Sequence, residues 1–433
     1  SRRRHTRFRN VTGVQTCALP IFFVTHVKGL MHPQAQTLWR GSQWSLALLL
    51  AGLSMLGPFS VDTYLPAFSD MARSLQATPL QMQQTLSAYL FAFAATNLFH
   101  GALSDSLGRR PVVIAGLLMF SVASFGCALS SSIGWLVGWR AVQGMTAGAG
   151  MVVGRAIIRD LFPQAQAQRV MSQVTIFFGL APVVAPWVGG WVVVGFDWRA
   201  IFWILALTGL VLAWTMWRLL PESLHPDQRH PLGLKPLMQG YAQLGRDPRF
   251  LALALSSGVP FNGMFVYVLA GPAWLGDHLH LQPTEFYWFF MVSVVGMTAG
   301  AALSGKLAGR MKAHQQIMLG FGVMGASTLV NVLLNATWQP SVSWALFPVG
   351  VYFFGWSLSA PAVTLLLLDL VPERRGMASS MQSFIGSTGN GLVAGVLVPL
   401  VMHSPFTLAL GSAAMLMIGA LAWTWVRGRL VSV

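Results

Sequence analysis

Two charged residues stand where charge is costly, and they are the first candidates for chemistry. Asp62 lies in the apolar run GPFSVDTYLPAF, and Arg140 lies in LVGWRAVQGMTAGAG. An acidic residue inside a membrane span costs roughly 2.5–3.5 kcal/mol on insertion scales, so it marks a functional site unless something simpler accounts for it. The simpler account of Asp62 is a position near the outer interface, where water solvates it. If it is buried, it can remove the cost of its charge by taking a proton, which makes it a candidate proton carrier. Arg140 cannot lose its proton and must face a partner, a cavity or water. Snorkelling from a helix end is the plain alternative, but Trp135 and Trp139 mark an interface before it. A fixed positive charge facing a carboxylate that can move would couple protonation to shape.

Two further patterns carry geometry. Gly101-x-x-x-Asp105-x-x-Gly108-Arg109-Arg110-Pro111 has glycines for close approach and a positive-φ turn, with a proline suited to a first helical turn. Asp105 is placed to accept from a neighbouring helix N-terminus; the plain alternative is an ordinary short turn. Ala181-Pro182-x-x-Ala185-Pro186-x-x-Gly189-Gly190 combines helix-bending prolines with packing glycines, a kink that could also serve as a hinge. Other chemistries lack their residues. There is no GxxxxGK[ST] for ATP, and Gly148, Gly150 and Gly154 fail the dinucleotide spacing and read as helix-packing glycines. No His/Cys/Glu set suggests a metal, and His225 and His230 read as solvated loop histidines. No cofactor is expected.

The elements that position these residues are membrane helices. Of 433 residues 55% are hydrophobic and 9% charged, too few charges to cover a water-facing surface. Long continuous apolar runs reach the roughly 20 residues that cross a bilayer as helix, and they lack the alternation of a barrel strand. Twelve spans are expected, at about 44–66, 81–103, 111–130, 134–155, 170–195, 199–219, 250–275, 284–304, 316–335, 343–367, 377–402 and 405–427. The polar stretch 220–249 divides them six and six, and Leu237–Leu244 within it reads as a short amphipathic surface helix. The expected organisation is a six-helix bundle over 31–219, a cytoplasmic linker over 220–249 and a second bundle over 250–433. Residues 1–30 are set aside as a non-native or disordered leader, with Met31 as the native start.

The net charge of +15 reflects connections between spans rather than a basic stripe for nucleic acid. On one side of the spans fall 17 lysines and arginines, and on the other only Arg73 and Arg199. The positive-inside bias then puts both termini and the linker in the cytoplasm. GALSDSLGRR (101–110) and AALSGKLAGR (301–310) occupy matching places in the two halves, the trace expected of parallel repeats with a substrate site between them.

Together these motifs resemble the major facilitator superfamily. The Gly101–Pro111 stretch is similar to its signature between helices two and three, and Arg140-Ala-Val-Gln143-Gly144 to its helix-four motif. Ala185-Pro186-x-x-Gly189-Gly190 is similar to its helix-five antiporter motif, with Ala185 where a glycine is usual. Asp62-x-Tyr-Leu-Pro66 with Arg155-Ala-Ile-Ile-Arg159-Asp160 resembles the Bcr/CflA branch of drug exporters. The resemblance implies a twelve-helix multi-pass protein of the bacterial inner membrane and proton-coupled antiport of small amphipathic drugs or metabolites by alternating access. It also implies proton coupling by Asp62 and Arg140, and a cytoplasmic gate formed by Gly101, Asp105, Gly108, Arg109 and Arg110. A second helix-one carboxylate found in some of these exporters is here Ser54, which argues against divalent-cation efflux or strict cationic selectivity. Tyr64, Tyr89, Asn262 and Tyr267 are expected to line the substrate path. An uptake symporter or a dedicated metabolite or nucleoside exporter is the alternative, and a membrane-embedded enzyme lacks its catalytic set. Substrate, protons and lipid are the expected partners, for a monomer.

Overall fold

A computed structural model describes residues 43–162, 164–229, 233–307, 310–371 and 375–430; the leader reading falls outside them. The described residues form helices and connecting turns, with no strand among them. Within hydrocarbon a helix satisfies its own backbone hydrogen bonds, so the apolar runs can take this form. The membrane helices are α1 (Gln43–Asp62), α2 (Pro79–Leu107), α3 (Arg109–Ala128), α4 (Ile133–Leu161), α5 (Gln164–Gly195) and α6 (Arg199–Leu219). The second six are α7 (Pro248–Leu269), α8 (Tyr287–Leu307), α9 (Ala313–Thr337), α10 (Val342–Asp369), α11 (Arg375–Leu392) and α12 (Pro405–Leu430). Among the described residues eleven spans are long and apolar enough to cross a bilayer, and α5 adds a shorter apolar stretch, Gly179–Gly195. Large apolar side chains stay exposed around the outside, among them Leu207, Trp214, Val295 and Leu421. In lipid such a surface is the solvated one.

Local chemistry sets the boundaries. Thr78 caps α2 through a reciprocal box with Gln81, and Ser132 caps α4. Apolarity alone leaves seven residues between the second and third spans. In the structure α2 runs on to Leu107 and α3 starts at Arg109, so Gly108 alone makes the turn, at φ +99°. Only glycine takes that conformation without strain. The linker does contain a helix, Leu234–Arg246, with Tyr241 and Leu244 buried on its apolar face.

In the first half α2 packs along α4, α3 along α4 and α6, and α1 along α5. In the second, α9 and α8 pack along α10, and α7 along α12. The halves meet through α2 against α11 and α5 against α8. Hydrogen bonds also tie α2 to the second half: Gln83 Nε2 donates to the Leu269 carbonyl of α7 (3.0 Å), and Ser87 Oγ to the Gly391 carbonyl of α11 (2.9 Å). Both come from the first third of α2, towards the end of the bundle that carries Asp62. At the opposite end the linker helix touches α2, where the Tyr241 hydroxyl donates to the Leu98 carbonyl at 3.2 Å.

Candidate functional site

Arg140 is the centre of the first half and is fully buried. Residues three apart share a face of an α-helix, so Gln143 lies beside it on α4 and accepts from Arg140 Nη1 at 2.5 Å. Nη1 also donates to the Ser60 carbonyl at the end of α1 (3.2 Å), and Gln143 Nε2 donates onward to Ser124 Oγ of α3 (2.7 Å). The guanidinium lies between two aromatic faces, 4.7 Å from the Tyr64 ring centroid and 4.4 Å from that of Tyr89. Desolvated cation–π contacts of this kind reach about 2 kcal/mol each. No carboxylate comes within ion-pair distance among the described residues, and Arg140 Nε and Nη2 are buried without a hydrogen-bond partner. Among the described residues the site therefore holds a positive charge faced by aromatic rings and carbonyl dipoles.

Asp62 closes α1 and is 5% exposed. Bulk solvation, the simpler account of this residue, does not apply in this conformation. Its side chain makes neither an ion pair nor a hydrogen bond among the described residues, although the Ser60 carbonyl that Arg140 bonds lies only two residues before it. The Tyr89 hydroxyl is held between Ser60 Oγ (2.8 Å) and the Gly57 carbonyl (3.1 Å), and Tyr64 bonds Thr85. Asp62 and Arg140 thus share one buried neighbourhood built by α1, α2 and α4 without touching. An isolated ionised carboxylate in such a place has nothing to offset its desolvation.

The second cluster lies at the other end of α2. Arg109, 3% exposed, bonds Asp160 Oδ2 of α4 through Nε (3.0 Å) and Ser104 Oγ through Nη1 (2.6 Å), and it pairs with Asp105. Arg110 reaches the Trp217 carbonyl of α6 (2.5 Å). The expectation that Asp105 accepts from a helix N-terminus gives way here to a different carboxylate. Glu222 Oε1 accepts from the Arg109 backbone N–H (3.0 Å), and Oε2 accepts from that of Arg110 (3.3 Å). Asp105 is instead half-exposed beside Arg109. Glu222 therefore caps α3 from the chain that leaves α6, and a Cβ at Gly108 would strike it. Ser223 adds a bond to Asp160 at 3.2 Å. Gly101 faces Val152 of α4 with room for contact.

Pro182 and Pro186 lie inside α5, whose last turns hold Gly189 and Gly190. A side chain at Gly189 would collide with the Thr63 carbonyl next to Asp62, and one at Gly190 with the Pro283 carbonyl of the second half. The glycine pair thus lets one helix approach both halves at backbone distance. The four residues expected to line a substrate path are all buried in this structure. Tyr64 and Tyr89 clamp Arg140. Tyr267 is 2% exposed and accepts from Asn331 Nδ2 at 2.6 Å. Asn262 is buried against Gly389 of α11. Asn262 Oδ1 is buried without a hydrogen-bond partner among the described residues.

Fold and site together define a polytopic transporter built from two six-helix halves. Residues 48–394 match the Major Facilitator Superfamily, and the chain belongs to that family. Its members are transporters, not enzymes. Among similar proteins, the bicyclomycin resistance protein homolog of Haemophilus influenzae is 28% identical over 394 residues, covering 90% of this chain and 97% of that one. Multidrug resistance protein D of Escherichia coli is 26% identical over 386 residues, with 88% and 95% covered. A crystal structure of a bacterial homolog of the human lysosomal transporter Spinster, described as inward-facing and occupied, superimposes with a TM-score of 0.67. It shares 15% identity over 89% of this chain and 97% of that one.

Proposed function

We propose that this protein is a proton-coupled antiporter of the bacterial cytoplasmic membrane that exports small amphipathic compounds by alternating access. The observation that carries this reading is a buried carboxylate, Asp62, beside a fully buried Arg140 that it does not touch. Asp62 takes a proton from the outer side and holds it while enclosed. When α1 shifts against α4, the carboxylate and guanidinium approach, the proton leaves to the cytoplasm, and the seam between halves reopens outward. The positive-inside bias assigns the Arg109 end to the cytoplasm. The inter-half bonds near the Asp62 end then correspond to an outer-closed state. The resistance proteins among the relatives support drugs as cargo. One proton crossing about 100 mV releases about 2.3 kcal/mol, and one pH unit adds roughly 1.4. At about 1.4 kcal/mol per decade a single carboxylate supports a several-hundredfold gradient of an uncharged solute.

The test uses a pump-deficient host challenged with a drug panel, and everted vesicles in which added substrate releases an imposed proton gradient. Asp62→Asn is expected to abolish both protection and proton release while its membrane content stays at the wild-type level. Full protection by the well-expressed variant removes Asp62 from the coupling. Uptake rather than extrusion, abolished by collapsing the gradient, replaces antiport with symport.

A further inference from the structure

The second half encloses a void of its own, away from Asp62 and Arg140. It lies among Met264 and Tyr267 of α7, Thr328 of α9, Val349 and Tyr352 of α10, and Ser412 of α12. The volume open to the centre of a water is about 10 Å³. That is at the lower edge of the roughly 10–15 Å³ that one water needs on this measure. An apolar void of such size would stay dry, but these walls are rich in hydroxyls.

The hydrogen-bond state of those hydroxyls is incomplete. Thr328 Oγ1 is buried with no partner, on a residue 8% exposed. The Tyr267 oxygen accepts from Asn331, which leaves its own O–H without an acceptor among the described residues. The Tyr352 hydroxyl donates to the Pro260 carbonyl at 3.0 Å, so its oxygen, on a residue lining the void, keeps its accepting capacity. Buried polar groups are rarely left unpaired, and here one donor and two acceptors converge on a water-sized space.

Helix register gives the void a meaning. Arg140 is the eighth residue past the α4 N-cap, Ser132, and Val349 is the eighth past the α10 N-cap, Ser341. Gln143 and Tyr352 are each three further on. Ser124, which Gln143 bonds, and Thr328 are each the sixteenth past the caps of α3 and α9, Gly108 and Lys312. The void therefore occupies the place where the first half keeps its guanidinium.

We infer that one ordered water occupies this void, accepting from the Tyr267 O–H and donating to the Tyr352 oxygen, with Thr328 as its third partner. It is the neutral counterpart of the Arg140 head group and ties α7 to α9 and α10 beside Pro260 within α7. Polar cohesion in the second half then needs no charge.

Synchrotron radiolytic footprinting of the purified full-length protein in nanodiscs tests this, because a resident water generates hydroxyl radical in place. Met264 is 1% exposed, and Met71 and Met216 are equally enclosed methionines away from the void. Met264 is expected to oxidise at least roughly fivefold faster than either control if a water touches it. Val349→Ile, which fills the space, is expected to return Met264 to the control rate. Equal rates for the three wild-type methionines mean that the void is dry and overturn the inference. The same holds if hydrogen peroxide in bulk, without irradiation, oxidises Met264 as selectively, because access then comes from opening rather than from a resident water. Should the isoleucine variant fail to fold, the wild-type comparison alone still decides.

Discussion

Replacing Glu222 should loosen the α2–α3 turn by an amount the structure lets one estimate. Its two carboxylate oxygens take the first two backbone N–H groups of α3, at 3.0 and 3.3 Å. Loss of a side-chain cap costs about 0.5–2 kcal/mol, and a negative charge at a helix N-terminus contributes about 0.3–1 kcal/mol when exposed and more when partly buried. The Glu222 side chain is 25% exposed and sits 3.9 Å from Arg229. Glu222→Ala, losing cap and charge, is therefore expected to cost about 2 kcal/mol, and Glu222→Gln, keeping an acceptor oxygen, about 1 kcal/mol. With one six-helix half as the cooperative unit, each kcal/mol lowers the melting temperature by about 2–4 °C. Intrinsic fluorescence melting of the detergent-purified protein should rank wild type above Gln above Ala. Equal melting of wild type and Gln would falsify the charge–dipole part of the reasoning. An unchanged Ala variant would show that the cap contributes nothing to stability.

Other substitutions probe other contacts. Gly189→Ala puts a methyl into the Thr63 carbonyl, whereas Gly179→Ala meets open space. Overpacking against backbone costs about 1–3 kcal/mol, so folded yield by size-exclusion chromatography should fall for the first and hold for the second. Tyr241→Phe removes the bond from the linker helix to the Leu98 carbonyl and should lower stability by about 1 kcal/mol. Burial pushes the Tyr241 phenol above its ordinary 10.0. A folded-state value above the unfolded one means that its contribution is complete below about pH 10 and fades as pH rises beyond. The stability gap between wild type and Tyr241→Phe should accordingly be flat from pH 6 to about 9; a gap that closes across that window refutes the bond.

The fold was legible because hydrocarbon leaves a chain few options. Twelve apolar runs and one polar interruption read directly as helices and a linker, and the amphipathic pattern of Leu237–Leu244 marked the linker helix. Boundaries were less legible where polar residues continue a helix: α2 carries on through Ser104, Asp105 and Ser106 to Leu107. The Arg140 site was half visible. Its charge stood out in sequence, but its aromatic clamp did not, because Tyr64 and Tyr89 come from two other helices. Both ring faces hold the Arg140 cation, a contact that no spacing in the sequence announces. Glu222 was missed altogether. Its signal, an acidic residue just after α6 with two unpaired N–H groups at the start of α3, appears only once the two helix ends are known to be neighbours.

The two halves share a backbone register but not a charge pattern, and this difference bears on how coupling can work. Where the first half places Arg140, the second places Val349, and where Asp105 stands in the first repeat, Gly305 stands in the second. A Cβ at Gly305 would meet nothing, so steric need does not explain the missing acid. The buried charges of the described core, Asp62, Arg109 and Arg140, all belong to the first half. The second half is held by neutral groups such as Asn331, Tyr267, Gln316 and Ser304. Neutral hydrogen bonds hold their geometry whatever the pH below about 10, whereas a carboxylate in hydrocarbon changes its energy by several kcal/mol on protonation. The proton-driven cycle proposed above would then be powered from one half, with the other as a passive lever against which α2 and α5 rock. On that division of labour, removing a second-half polar group such as Asn331 should lower stability without moving the pH dependence of transport, while removing Asp62 should erase that dependence and leave the fold standing.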